Sequence, residues 1–155
     1  MAGLSAEVID EVAGAVRLSP GAQALVRTLL REGHAVAAVS GGFRQVLAPL
    51  AASLELTRWA ANGLEVEDGQ LTGRVGGPVV DRAAKAEIVA QWARELEIAP
   101  EDVLVVGDGA NDVDMARAAG LSVAYRAKPA LQDLSLIHIS EPTRLSLVSR
   151  MPSSA

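Results

Sequence analysis

Gly107-Asp108-Gly109-Ala110-Asn111-Asp112-Val113-Asp114-Met115 follows the apolar run Val103-Leu104-Val105-Val106 without a gap. An acidic side chain at the carboxyl end of a buried strand can ligate a hard cation such as Mg²⁺, which favours carboxylate and water oxygens. Asp108 holds that place. Gly107 and Gly109 let the backbone turn tightly beside an ion. Asn111 and Asp112 fall at the start of the next helix, where they can cap it and hold metal-bound water or a neighbouring lysine. A solvated acidic turn would explain Asn111 and Asp112 but not Asp108. A dinucleotide loop needs a small residue where Asp112 stands, and an acid there repels pyrophosphate.

Two further clusters point the same way. Ser40-Gly41-Gly42 closes the apolar run that ends at Val39. A hydroxyl with free backbone N–H groups at a helix start makes an anion cradle. Taken alone the tripeptide is an ordinary tight turn. It is not a serine-hydrolase elbow, because Ala38 stands where that motif has glycine. Lys85 lies in the first turn of a helix that Asp81 can cap. A cation there opposes the helix dipole unless something anionic is near. Such a lysine is usually exposed; in a phosphoryl-transfer site it would neutralise phosphate and carboxylate together.

The elements that must carry these residues alternate. A short acidic helix is expected over about 6–16. Ser19-Pro20 then opens a second helix, with Ala22, Leu25, Val26, Leu29 and Leu30 on one stripe and Gly33 as a left-handed cap. His34 to Val39 reads as a strand stopped by Ser40-Gly41-Gly42, with a helix from about Phe43 to Leu54. Short strands are expected at Trp59 to Ala61 and at Glu65 to Glu67, the latter joined by an Asp68-Gly69 hairpin turn to Gln70 to Val75. A long helix to about Leu96, the Val103 strand, a helix to Ala119 capped by Gly120, and a strand over Leu121 to Tyr125 complete the order. Strands alternating with helices predict an α/β fold, a parallel sheet covered on both faces.

The bulk numbers narrow the function classes. A chain of 155 residues that is 50% hydrophobic supports one core, but with 3% aromatic residues it must be built from Ala, Val and Leu. A net charge of −5 argues against nucleic acid as the partner. The absence of cysteine removes disulfides, thiolate nucleophiles and Cys-type zinc sites. There is no signal-peptide pattern and no apolar run of the ~20 residues a membrane helix needs, so a cytoplasmic protein is the expectation.

Val39 to Phe43, Lys85 after Val79-Val80-Asp81-Arg82, and Gly107 to Met115 closely resemble motifs two, three and four of the bacterial phosphoserine phosphatase family, in the haloacid-dehalogenase-like superfamily. The likeness covers about residues 4–131. It implies an incomplete Rossmannoid parallel sheet flanked by helices, with a small β-hairpin. Over residues 1–17 it implies a remnant of a helical cap, and over 18–131 a partial phosphatase core. Ser40, Gly41, Lys85 and Asn111 resemble the phosphate-binding set, Asp108 a Mg²⁺ ligand, and Asp112 a supporting residue behind it. The implied substrate is O-phospho-L-serine, cleaved to serine and phosphate in serine biosynthesis. In the family an aspartate nucleophile forms an aspartyl-phosphate, and a second aspartate two residues on acts as acid and base.

The family's first motif, Asp-x-Asp-x-Thr/Ser, stands nowhere in this sequence. Asp112-Val113-Asp114 has the spacing but lies inside motif four and lacks the hydroxyl residue. Met1 is therefore read as internal to a longer frame, and the chain alone as inactive. In the family the missing strand lies between the Val36 and Val103 strands, so the two are expected to expose inner edges or to pair directly. Leu134 to Arg144 resembles the translation of a transposase adapter from sequencing libraries; residues 132–155 are read as a non-native tail, with a genuine apolar strand at Leu136 to Ile139 as the alternative. Three other functions compete: another small-molecule phosphatase of the superfamily, a P-type ATPase, which would need membrane helices, and a non-catalytic phosphate-binding protein.

Overall fold

The computed structural model describes residues 2–133 and 137–139. The chain divides into two compact units, one up to Val80 and one from Asp81 onward.

In the first unit, helix α1 (Glu7–Ala15) is followed by α2 (Ala22–Arg31), strand β1 (Ala37–Phe43), helix α3 (Arg44–Ser53) and the strands β2 (Arg58–Glu67) and β3 (Gln70–Gly76). The sheet order is β1-β2-β3, with β1 parallel to β2 and β3 antiparallel to it. Asp68 and Gly69 make the expected hairpin turn, both at positive φ. The two strands expected on either side of Asn62 are one continuous strand. Ser40-Gly41-Gly42 does not end β1: the pairing skips from Ser40↔Ala61 to Phe43↔Asn62, so the two glycines are looped out as a bulge and the strand resumes. Ile9, Ala51, Leu54, Ala61, Leu71 and Val80 are buried here.

Helix α2 departs from expectation. Its N-cap is Gly21 in the left-handed region, not Ser19, whose carbonyl instead accepts the Ala22 N–H at 3.0 Å. Gly33 does follow the helix at φ 84. The apolar stripe is only partly covered, however: Ala22, Val26, Leu29 and Leu30 are half-buried, no residue of α2 is fully buried and Leu25 is 57% exposed.

The second unit opens with α4 (Arg82–Glu95), capped as expected by Asp81, whose Oδ1 accepts the Ala84 N–H at 2.9 Å. A 3₁₀ turn (Pro100–Asp102) leads to β4 (Leu104–Gly107), and a second (Ala110–Asp112) to α5 (Val113–Ala118); β5 (Leu121–Tyr125), α6 (Pro129–Gln132) and β6 (Ile137–Ile139) follow. The sheet β4-β5-β6 is wholly parallel. Its core is Val113, Ala116, Ala124, Ala127 and Leu131. Three residues of the segment read as a non-native tail thus pair with β5 as a strand; residues 134–136 and 140–155 lie outside the described residues.

Strand β4 is covered on one side only. Val105 is buried, while Leu104 and Val106 are 54% and 52% exposed. The expectation of cover on both faces fails at this strand. Among the described residues β1 and β4 each have one paired edge and belong to separate sheets.

Glu97 follows α4 at φ 55, a left-handed position that normally takes glycine, and its charge sits at the negative end of the helix dipole. Glu97→Gly should stabilise the second unit by about 0.5–1 kcal/mol, once the greater freedom of glycine in the unfolded chain is set against the relieved strain. An unchanged or lower urea midpoint would show that this turn carries no strain.

Candidate active site

Ser40 and Gly41 belong to the first unit. The Ser40 Oγ accepts the Gly42 N–H at 3.0 Å, so one of the two cradle groups expected to be free is satisfied by the other. What holds this loop is Asn62, only 6% exposed. Its Nδ2 donates to the Gly41 carbonyl at 2.9 Å and the Val80 carbonyl at 3.4 Å, and its Oδ1 accepts the Val80 N–H at 2.6 Å. A buried amide with both ends occupied fixes its partners firmly, because breaking any bond leaves a polar atom without water. Sequence reasoning missed Asn62. The available signal was an amide in the middle of an apolar strand, where burial demands partners.

The second unit holds Lys85, Asp108, Asn111 and Asp112. Lys85 and Asp112 are each 5% exposed and lie 2.8 Å apart, Nζ to Oδ1. The bland reading of Lys85 as a solvated helix residue is therefore wrong. An ammonium is buried only when paired. The second oxygen of Asp112 does not cap α5. It turns back to accept the N–H groups of Asp108 at 3.1 Å and Gly109 at 3.3 Å, closing the loop at the end of β4. This dictates the glycine at 107 by proximity: a Cβ there would stand 2.7 Å from the Cβ of Asp112 and 2.8 Å from its Oδ2.

Asp108 is exposed, and no side chain among the described residues pairs with its carboxylate. Its backbone is held at both ends: the N–H by Asp112 and the carbonyl by the Lys128 N–H at 3.0 Å. Asn111 is exposed, and among the described residues its side chain makes no hydrogen bond. The result is one open carboxylate at a strand end beside a buried, internally neutral acid–base pair. No group of three or more His, Cys, Asp or Glu side chains among the described residues could hold a metal by itself. A single hard carboxylate still fits Mg²⁺, which commonly takes one or two carboxylates and completes its shell with water and phosphate oxygens.

Asp114, two residues beyond Asp112, is also committed. The Arg82 guanidinium bonds both its oxygens, Nε to Oδ2 at 2.7 Å and a terminal nitrogen to Oδ1. That hydrogen bonding, aided by the charges of Arg82 and Arg117, holds the Asp114 carboxyl below its ordinary range and raises Arg82 above its own. With each acid engaged by a cation, Asp112-Val113-Asp114 cannot stand in for the missing nucleophile pair.

The family model for haloacid dehalogenase-like hydrolases matches residues 1–117. The chain belongs to that family. Among curated members of these hydrolases, the chain is 49% identical over 142 residues to the phosphoserine phosphatase SerB2 of Mycobacterium tuberculosis, covering 92% of this chain and 35% of that one. It thus spans about a third of that relative's length. Among solved structures it superposes with a TM-score of 0.86 on a substrate-bound phosphoserine phosphatase complex and 0.85 on a phospho-aspartyl intermediate analogue of phosphoserine phosphatase. Each is 38% identical, with 89% of this chain and 66% of the other covered. As a haloacid dehalogenase-like hydrolase the chain has the α/β architecture expected of it, and no helix among the described residues is long and apolar enough to cross a membrane.

Proposed function

We propose that this chain is the phosphate- and cation-handling part of a Mg²⁺-dependent phosphoserine phosphatase, acting on O-phospho-L-serine in the cytoplasm as a step of serine biosynthesis. The observation that carries the proposal is the open Asp108 carboxylate beside the buried Lys85–Asp112 pair. In this reading Asp108 is one ligand of the ion, which when bound would screen the repulsion between an attacking carboxylate and the phosphate. Lys85 has two N–H groups beyond the one given to Asp112, and these are available to phosphate oxygens. Asp112 holds the ammonium in place. Ser40 and Gly41 supply a hydroxyl and a backbone N–H to the phosphate, and Asn111 a side-chain amide. None of these groups can attack phosphorus, so the 155-residue chain alone turns nothing over. The named homologues and the substrate-bound neighbour support the substrate assignment.

The test is a chimera that joins the upstream part of the M. tuberculosis relative, including its Asp-x-Asp motif, to this chain. Hydrolysis of O-phosphoserine should appear with Mg²⁺, exceed that of other phosphomonoesters, and vanish in a Lys85→Met version. Equal rates on sugar phosphates would favour a different phosphatase of the superfamily. Turnover by the unfused chain above a metal-free blank would refute the assigned division of labour. Phosphate binding by the unfused chain, measured calorimetrically, with no turnover in a folded chimera would favour a non-catalytic binding protein.

A further inference from the structure

We propose that Arg82 and Asp114 are positioning residues that fix the roll of α4 and so hold Lys85 on Asp112; the inference rests on the reading of Lys85 as the charge-neutralising group. Arg82 is the first residue of α4, where a cation is disfavoured by the helix dipole. Its guanidinium is turned to α5 and takes Asp114 with two parallel bonds, a geometry that fixes direction as well as distance. Arg82 and Lys85 are three apart on one helix and share a face. Their partners Asp114 and Asp112 are two apart on the segment that enters α5. One bond between α4 and this segment would leave the helix free to turn about it, and a second one a helical turn away removes that freedom.

Around Lys85 shape supplies little of this restraint, since the larger side chains of α4, Ile88, Val89 and Trp92, come later in the helix and are only half-buried. Helix α4 carries alanine at 83, 84, 86, 90 and 93, and besides Lys85 only Ala93 is buried. Smooth alanine surfaces pack closely but interlock poorly, so sliding and rolling cost little. The exposed pair contributes little to global stability, being 47% and 35% accessible at the side chains. Its effect is local.

The sequence makes a direct test possible, because it contains two lysines, Lys85 and Lys128. Lys128 is exposed and Lys85 is buried. The full chain is treated with an amine-acylating succinimidyl ester at fixed pH, and the two sites are quantified by peptide mass spectrometry. In the native protein Lys85 should react far more slowly than Lys128. Arg82→Gln and Asp114→Asn should each raise the Lys85:Lys128 ratio about three- to five-fold, the population change expected from losing an exposed but two-pronged pair. The exchanged pair Arg82→Asp with Asp114→Arg should restore protection. Arg74→Gln, which removes the hairpin pairs with Glu65 and Glu67, should leave the ratio untouched even where it lowers the melting temperature. An unchanged ratio in both clasp variants overturns the proposal, and so does a ratio that follows melting temperature in all variants including Arg74→Gln. The readout needs no substrate, so failure here leaves the phosphatase assignment standing, and failure of the chimera leaves the clasp standing.

Discussion

Asp112→Ala should lower the stability of the second unit by about 3–5 kcal/mol, enough to unfold a marginal domain, because it strands a buried ammonium. It also releases the Asp108 and Gly109 N–H groups that the carboxylate accepts at 3.1 and 3.3 Å. Lys85→Met should cost less. The carboxylate left behind keeps those two N–H donors, and methionine fills most of the lysine's volume. The double variant should be more stable than Asp112→Ala alone, since no unpaired ion is then buried. Urea unfolding of the four proteins closes a double-mutant cycle, and a coupling energy indistinguishable from zero would mean that the 2.8 Å contact carries no interaction.

Gly120→Ala should cost about 3 kcal/mol, the upper end of what overpacking does, because the obstacle is backbone and cannot swing away. The sequence suggested that Gly120 caps the preceding helix. In the structure α5 ends at Ala118 with an extended Ala119 after it, and Gly120 is not at positive φ. Its N–H instead donates to the Pro100 carbonyl at 2.9 Å, and an added Cβ would collide with the Glu101 carbonyl, standing 2.5 Å from its carbon and 2.6 Å from its Cα. This close crossing sets where the turn before β4 meets the start of β5. The matched control is Gly14→Ala, inside α1 with open space around it, which should stabilise by roughly 0.5–1 kcal/mol. If thermal melts show the two substitutions shifting stability alike, the steric account of Gly120 fails.

The features legible in the sequence are those that local chemistry decides. Asp81 caps α4 because a carboxylate three residues before a helical N–H needs no distant partner. Asp68-Gly69 turns the hairpin because both residues accept positive φ. Lys85 and Asp108 can be singled out because each is a polar group placed where a helix begins or a strand ends; Ser40 stands out as a hydroxyl before two glycines, although β1 runs on past it. What was misread depends on contacts far along the chain. Trp59 to Ala61 and Glu65 to Glu67 read as two strands where β2 is one, because the partners that hold Asn62 between them, Gly41 and Val80, lie far along the chain. Nothing local to Arg82 points to Asp114, 32 positions away, which receives it. The apolar run of β4 reads as a buried strand and residues 22–30 as an apolar stripe, but periodicity reports which face is greasy and says nothing about what covers it. Leu25, Leu104 and Val106 remain largely exposed.

The Asn62 strut also has a chemical lifetime. The residue after it is Gly63, and in a loose chain the amide nitrogen of a glycine readily attacks the preceding side-chain carboxamide, expelling ammonia. Hydrolysis of the ring then leaves aspartate or its β-linked isomer. Within β2 the carboxamide is pinned by Gly41 and Val80, and the extended backbone keeps the nitrogen away. Once the strand opens that protection is gone, and the acid that results has no N–H to return to the two carbonyls. Each long excursion to the unfolded state therefore converts some molecules into a form that cannot rebuild the anchor of its own Ser40-Gly41-Gly42 loop, so heat damage to this protein should accumulate rather than reverse.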